Sequence, residues 1–161
     1  MTSSSTALQG LLPHVCPQVE AALACAGLDD WLGEGEGKGS LPLQFMASGG
    51  WVELMRLAPG TRMARHRHRG EVHGFHLQGW RQLADGRLLG PGAYAFEPAG
   101  QVDHWAAAGA QPLVLQVVVL GDVDYVDEQG GLLRRITMAD RLADYRAACA
   151  RRGLAAPLMP G

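Results

Sequence analysis

Turn signals recur along the middle of the chain, and their spacing limits the possible fold more than any other feature of the sequence. Short apolar runs are interrupted by glycine- or proline-containing turns at residues 48–50, 59–60, 69–70, 85–86, 90–92 and 98–100. Short strands separated by turns about every ten residues are typical of all-β sandwiches and barrels. The sequence therefore predicts an all-β fold with one small barrel over residues 41–136.

Helical patterns flank this region on both sides. Apolar residues recur at a near-helical spacing within residues 11–28, and the glycine-rich stretch 33–40 predicts a loop after them. Residues 1–40 are therefore expected to form a short, partly helical N-terminal segment. At the other end, Thr137 is a suitable N-cap and Gly153 a suitable stop, so residues 137–161 are expected to form a C-terminal helix and tail.

Composition argues against several classes of partner. The chain has 161 residues, with 14 Lys+Arg against 16 Asp+Glu, which gives no electrostatic reason to bind nucleic acid. No apolar run approaches the roughly 20 residues of a membrane span, and the N-terminus lacks the pattern of a secretory signal. We therefore expect a cytoplasmic protein without nucleic-acid or membrane partners. Cys16, Cys25 and Cys149 are expected to be reduced packing residues.

The histidines are concentrated in the predicted barrel. Five of the six lie between residues 66 and 104, namely His66, His68, His73, His76 and His104. Each of them alone is most simply a surface or hydrogen-bonded core residue. His66 and His68 differ, because residues two apart on a strand point the same way and can chelate one ion. Imidazole suits zinc, copper, iron and nickel.

Two motifs add a family resemblance. Residues 60–68 read Gly-x5-His-x-His, which resembles the first half of the first cupin motif, and residues 92–100 read Gly-x5-Pro-x-Gly, which resembles the second. Residues 66–73, 77–81, 91–100 and 124–127 are also similar to the cupin group of acetylacetone-cleaving and 2,4'-dihydroxyacetophenone dioxygenases, and to the cupin domain of some anti-sigma factors. The resemblance implies a jelly-roll barrel, a double-stranded β-helix. It also implies a non-haem Fe(II) site that opens a carbon–carbon bond beside a carbonyl using O2.

The second motif leaves two residues open for the third metal ligand. Counting from Gly100 puts Asp103 at the ligand position of the motif and His104 one residue later. A one-residue bulge in the strand would turn His104 inward. We prefer His104, which completes a three-histidine set with His66 and His68, and Asp103 is the alternative.

The remaining candidates concern the surroundings of the metal. The glutamate of the first cupin motif falls on Val72 or His73, so the usual carboxylate ligand is expected to be absent. His73 is instead expected to act as a fourth ligand or a proton-handling residue. Glu97 is expected to accept a hydrogen bond from a ligand imidazole and hold its tautomer, or else to be a surface charge. His76 has the opposite strand parity to His73 and is left outside the site.

Two functions follow from these residues. The leading one is an Fe(II)-dependent dioxygenase that cleaves a small β-diketone or hydroxyketone with O2, with Zn(II) or Ni(II) as alternative metals. The other is a non-catalytic metal- or ligand-binding cupin, such as a zinc-type sensor. A homodimer is expected from the habit of cupins and the general frequency of two-fold dimers.

Overall fold

A computed structural model describes residues 32–33 and 37–161. The helix predicted within residues 11–28 and the first two cysteines lie outside the described residues. The strands are β1 Leu32–Gly33, β2 Lys38–Phe45, β3 Trp51–Leu57, β4 Arg62–His68, β5 Val72–Gln78, β6 Trp80–Leu83, β7 Leu88–Leu89, β8 Tyr94–Glu97, β9 Val102–Ala108, β10 Leu113–Val119, β11 Val123–Val126 and β12 Leu132–Ile136. One helix, α1 Met138–Arg151, follows them.

The strands form two six-stranded antiparallel sheets. The first has the order β1-β2-β3-β10-β5-β8 and the second the order β12-β11-β4-β9-β6-β7. Their inner faces share one hydrophobic core, to which residues such as Trp51, Leu115 and Trp105 contribute. The prediction of an all-β fold with a C-terminal helix is confirmed.

The place of each strand in its sheet explains its pattern of buried and exposed residues. β10 pairs with β3 on one side and β5 on the other, so it is a central strand and can be apolar along almost its whole length. β4 alternates instead, with Met63, His66 and His68 buried between exposed residues. The strand that the spacing of His66 and His68 assumed is therefore present, and it directs both histidines inward.

β2 departs from the sequence prediction. It begins at Lys38, so residues 38–40 of the glycine-rich stretch pair with β3 instead of forming a loop. Composition favoured a loop there because glycine is costly to order. Antiparallel pairing along the neighbouring strand outweighs that local preference. The consequence is that the side chain of Lys38 belongs to the barrel.

The helix α1 begins and ends where the sequence predicts. The hydroxyl of Thr137 accepts a hydrogen bond from the backbone of Asp140, whose carboxylate accepts one from the backbone of Thr137, a reciprocal capping box. Tyr145 packs on Phe45 of β2, with 5.8 Å between the ring centroids. Within the described residues, no helix is long and apolar enough to cross a membrane.

A buried carboxylate joins three strands of the second sheet. Asp124 of β11 is 0% exposed and accepts hydrogen bonds from Arg135 of β12 at 2.7 Å and from Arg67 of β4 at 3.4 Å. Arg69 lies 3.5 Å away. The hydrogen bonds from Arg135 and then Arg67, together with the charge of Arg69, hold the pKa of Asp124 at about 2 against the opposing effect of burial.

This cluster makes a pH-dependent contribution to stability. Since the pKa of Asp124 falls from 3.8 to about 2 on folding, the carboxylate stabilises the fold above pH 3.8, and this contribution is lost as the pH drops through 2. We expect Asp124→Asn to lower the Tm at pH 7 and to lower it progressively less between pH 4 and pH 2, measured by circular dichroism. The exposed Glu128→Gln is the control. A deficit for Asp124→Asn that is equal at every pH would contradict this account.

Candidate metal centre

His66 and His68 face the interior from β4. The two residues are 4% and 6% exposed, and their ring centroids lie 4.7 Å apart. The Nδ1 of His66 lies 2.7 Å from the backbone oxygen of Ala64. Because a carbonyl oxygen can only accept a hydrogen bond, Nδ1 has the proton and donates it to Ala64. The lone pair of the ring is then on Nε2, where a metal can bind it.

Glu97 of β8 completes a group of three. Its Oε2 lies 2.9 Å from the Nε2 of His68. One ligand atom from each of His66, His68 and Glu97 can be chosen so that all three lie within 4.8 Å of one another. All three residues are buried. The sequence predicted Glu97 as a hydrogen-bond partner of a ligand imidazole or else as a surface charge, whereas the structure groups its buried carboxylate with the two imidazoles.

The donor atoms of this group fit a metal ion. Although the Nε2 of His68 and the Oε2 of Glu97 are close, that oxygen has no hydrogen-bond partner of suitable geometry among the residues that the structure describes. Two ligand atoms each about 2.1 Å from one ion and at right angles to each other are about 3 Å apart, close to the separation seen here. Two imidazoles and one carboxylate are also the donor set of many non-haem Fe(II) oxygenases, and zinc accepts the same donors. These residues can therefore hold a divalent metal.

Arg81 of β6 fixes the charge state of Glu97. Its Nη2 lies 2.5 Å from Oε1 of Glu97 and 3.2 Å from Oδ2 of Asp103, and its guanidinium stacks 4.5 Å above the ring of Trp105. Burial alone would raise the pKa of Glu97, but the contacts with His68 and Arg81 outweigh it and bring that pKa to about 2. The carboxylate is therefore ionised at neutral pH, as metal binding requires.

Burial has the complementary effect on His66. Desolvation, followed by the charge of His68, lowers the pKa of the His66 imidazole, and the hydrogen bond to Ala64 only partly offsets this. A neutral imidazole at pH 7 has the free lone pair that a metal needs. The resting protonation states of His66 and Glu97 thus suit a cation.

The structure does not bring His104 to this cluster. His104 is exposed, while its neighbours Asp103 and Trp105 have their side chains turned inward. The reason is the position of the bulge. Met63 pairs with Trp105 and His66 with Asp103, so the extra residue lies in β4 and not in β9, where it would have turned His104 inward. Asp103, the alternative from the sequence, faces the interior, but its carboxylate is engaged by Arg81.

His73 also lies away from the cluster. It is on the outer face of β5, where its Nδ1 is 2.7 Å from the hydroxyl of Tyr94 and its ring packs against Phe96. His76 has the inward parity instead. It is 2% exposed, and its Nδ1 donates to the backbone oxygen of Ala93. The sequence established that the two histidines face opposite ways, but not which of them faces inward.

The first cupin motif lacks its carboxylate in this chain, and β8, the neighbour of β5 in the sheet, supplies one instead. Val72 lies on the inner face of β5 at the position where the motif would have its glutamate, and it lines the cavity. Glu97 of β8 is the direct cross-strand partner of Val72. A side chain directly opposite on a neighbouring strand reaches the same space. Glu97 therefore occupies the region that the missing glutamate would fill.

The cluster opens onto a cavity of about 610 Å³ between the sheets. Trp51, Val117 and Trp105 are among its walls, and α1 contributes Tyr145 and Ala148 at one side. This is within the usual size range of small-molecule sites. The exposed aromatic residues of β5, β6 and β8 do not line it.

Comparison with known families identifies the class of the chain. The sequence profile of the ChrR Cupin-like domain matches residues 26–124, which is more than half of the chain. The chain belongs to the ChrR Cupin-like domain family. The cupin resemblance of residues 60–68 and 92–100 is thereby confirmed. No curated protein sequence matches this cupin significantly.

Solved structures agree on the fold. A protein of unknown function with a cupin-like fold from Ralstonia eutropha JMP134 has a TM-score of 0.72 at 20% identity, over 78% of this chain and 81% of that chain. The acetylacetone dioxygenase from Acinetobacter johnsonii has a TM-score of 0.69 at 17% identity, over 76% of this chain and 89% of that chain. At such identities the likeness shows the cupin jelly-roll fold alone.

Substitutions distinguish the observed cluster from the three-histidine set. After loading with Fe(II) or Zn(II) and gel filtration, the wild-type cupin should hold one ion per chain by inductively coupled plasma mass spectrometry. His68→Ala and Glu97→Gln should each weaken metal affinity by at least about tenfold, because each removes a donor. His104→Ala is the matched control and should keep its metal. Loss of the ion from His104→Ala but not from Glu97→Gln would contradict the assignment.

Proposed function

We propose that this cupin is a metal-dependent dioxygenase that cleaves a carbon–carbon bond in a small β-diketone or hydroxyketone with O2. The observation that carries the proposal is the buried cluster of His66, His68 and Glu97, which lines a cavity large enough for such a ketone. Only three protein donors converge there among the described residues, which leaves positions on an ion for a ketone and for O2. Iron(II) is the metal we propose, because this donor set is the one that suits oxygen chemistry.

The charges around the cluster favour an enolate over a neutral ketone. Glu97 and Asp103 contribute two negative charges and Arg81 one positive charge, so with neutral imidazoles the group has one net negative charge. A divalent cation changes the total to one net positive charge. The enolate of a diketone, formed by loss of the proton between the two carbonyls, has a single negative charge and can bind through two oxygens. The site therefore selects the ionised form of the substrate, in which the carbon between the carbonyls is electron-rich.

Side chains of the barrel divide the remaining tasks. A bound metal supplies Lewis acidity and the activation of O2. Arg81 keeps Glu97 ionised and fixed in position, and the hydrogen bond to Ala64 holds the ring of His66 in one tautomer. Trp51, Val117 and the other apolar walls exclude water from the reacting carbon. The two products of the cleavage together contain all the atoms of the ketone and of one O2. The reaction therefore needs no external reductant.

A non-catalytic metal-binding cupin is the second candidate. The match to the ChrR Cupin-like domain supports it, since the sequence also resembles the cupin domain of some anti-sigma factors. Tetrahedral zinc would use the same three donors and one further ligand. Asp103, which contacts Arg81 beside the cluster, is the carboxylate we propose for that fourth position. In that case the ion would stabilise the barrel and no substrate would be turned over.

Oxygen uptake separates the two functions. Protein reconstituted with Fe(II) under anaerobic conditions should consume O2 when given a β-diketone or hydroxyketone from a panel, measured with an oxygen electrode. His66→Ala and Glu97→Gln should reduce the rate by at least about a hundredfold, because they remove groups that hold the metal. His104→Ala should remain within about twofold of the wild type, because its side chain is exposed and away from the cluster.

The control is the same protein loaded with Zn(II), which should not consume O2. If the iron-loaded wild type is stoichiometric in metal but silent across the panel, the dioxygenase proposal fails and the zinc-type function takes its place.

A further inference from the structure

Lys38 has an unusual position for the only lysine of the chain. It is partly buried at the start of β2 and lines the cavity. Its Nζ lies 3.9 Å from Sδ of Met63, which is on the opposite sheet. A thioether is a weak acceptor. Among the residues that the structure describes, no carboxylate lies within salt-bridge distance of this ammonium group.

Two arginines add to this positive charge. Arg134 of β12 and Arg151 of α1 also line the cavity, and neither has a carboxylate within salt-bridge distance in the described part of the chain. The other arginines of the cavity are already paired with buried glutamates. Asp144 of α1 is the one acidic lining residue outside those pairs. Arg134 and Arg151 are exposed, whereas Lys38 is partly buried. Outside the glutamate pairs, the lining residues thus include three cations and one carboxylate, an excess of positive charge.

Strand register relates this charge to the metal centre. Met63 and His66 both point inward from β4 and are separated only by the bulge, so they are about one inward repeat, roughly 7 Å, apart. Tyr125 lies between them, with its ring centroid 6.0 Å from that of His66 and its hydroxyl 3.8 Å from the sulfur of Met63. Arg134 is the cross-strand partner of Tyr125.

We propose that the substrate has a carboxylate in addition to its ketone, and that Lys38 binds this carboxylate with help from Arg134. The inference rests on the proposed function, because it puts the ketone oxygens at the cluster of His66, His68 and Glu97. Lys38 contacts Met63, whose backbone lies roughly 7 Å along β4 from that of His66, and a carboxylate two or three carbons beyond the ketone group spans a separation of that order. Within the described ranges no carboxylate offsets this partly desolvated ammonium, a costly arrangement that a ligand carboxylate relieves. The site should thus prefer a diketone that contains a carboxylate to a diketone without one.

Two diketones with the same carbon skeleton test this. Heptane-2,4-dione is neutral in its keto form, and 4,6-dioxoheptanoate adds a carboxylate to the same chain of carbons. Binding to the Zn(II)-loaded protein is measured by titration calorimetry, so that no turnover takes place. The wild type should bind the carboxylate-containing ligand at least about tenfold more tightly, as expected for a charge-assisted contact. This preference should shrink as salt is added.

Variants assign the preference to Lys38. Lys38→Met should bring the affinity ratio of the two ligands close to one without weakening heptane-2,4-dione, whereas Lys38→Arg should keep most of the preference. Arg134→Gln should reduce the ratio in part. Arg146→Gln is the matched control, since Arg146 is an exposed arginine of α1 that does not line the cavity and contacts Met159.

The outcomes separate this inference from the proposed function. Equal binding of both ligands to the wild type, or a ratio unchanged in Lys38→Met, overturns the inference and leaves the dioxygenase proposal standing. Failure of the wild type to bind either diketone overturns the proposed substrate class and the inference with it. If Lys38→Met does not fold, Lys38→Arg and Arg134→Gln decide by the same ratio.

Discussion

The ion pair between the buried carboxylate of Glu97 and Arg81 is the interaction on which the rest of the site depends. A lone carboxylate in a protein interior costs several kcal/mol, so it must be paired or bound to a metal. Arg81 pairs with one oxygen of Glu97 and is itself held by Asp103 and by the ring of Trp105. The other oxygen lies beside the imidazole of His68 and makes no hydrogen bond of suitable geometry within the described part of the chain. The barrel thereby keeps a charged, directed donor next to the two imidazoles.

The site belongs to both sheets of the barrel. Glu97 comes from β8 at the edge of the first sheet, whereas the histidines, Arg81 and Asp103 come from β4, β6 and β9 of the second. A metal held by this group would link the two sheets across the core. Binding would therefore add to the stability of the fold as well as to its chemistry, since an ion that binds only the folded state shifts the equilibrium toward it. The packing of the two sheets against each other also shapes the cavity beside the cluster.

Strand alternation predicted part of this arrangement from the sequence alone. The two-residue period of β4 was enough to put His66 and His68 on one face. The period could not locate the bulge, because a bulge is defined by the pairing of two strands, and this is why His104 was expected to face inward. Glu97 was expected beside the ligands, but its role depends on lying opposite Val72 across two strands that are distant in sequence. Lys38 was hidden within a glycine-rich stretch whose composition predicts a loop.

The central claim is that one divalent cation binds between His66, His68 and Glu97. Crystals of the metal-loaded protein, with anomalous diffraction data collected on both sides of the absorption edge of the metal, test it most directly. The account predicts a single strong anomalous peak about 2.0–2.2 Å from the Nε2 atoms of both histidines and from an oxygen of Glu97. A peak beside His104 or His73, or no peak between the two sheets, would contradict it.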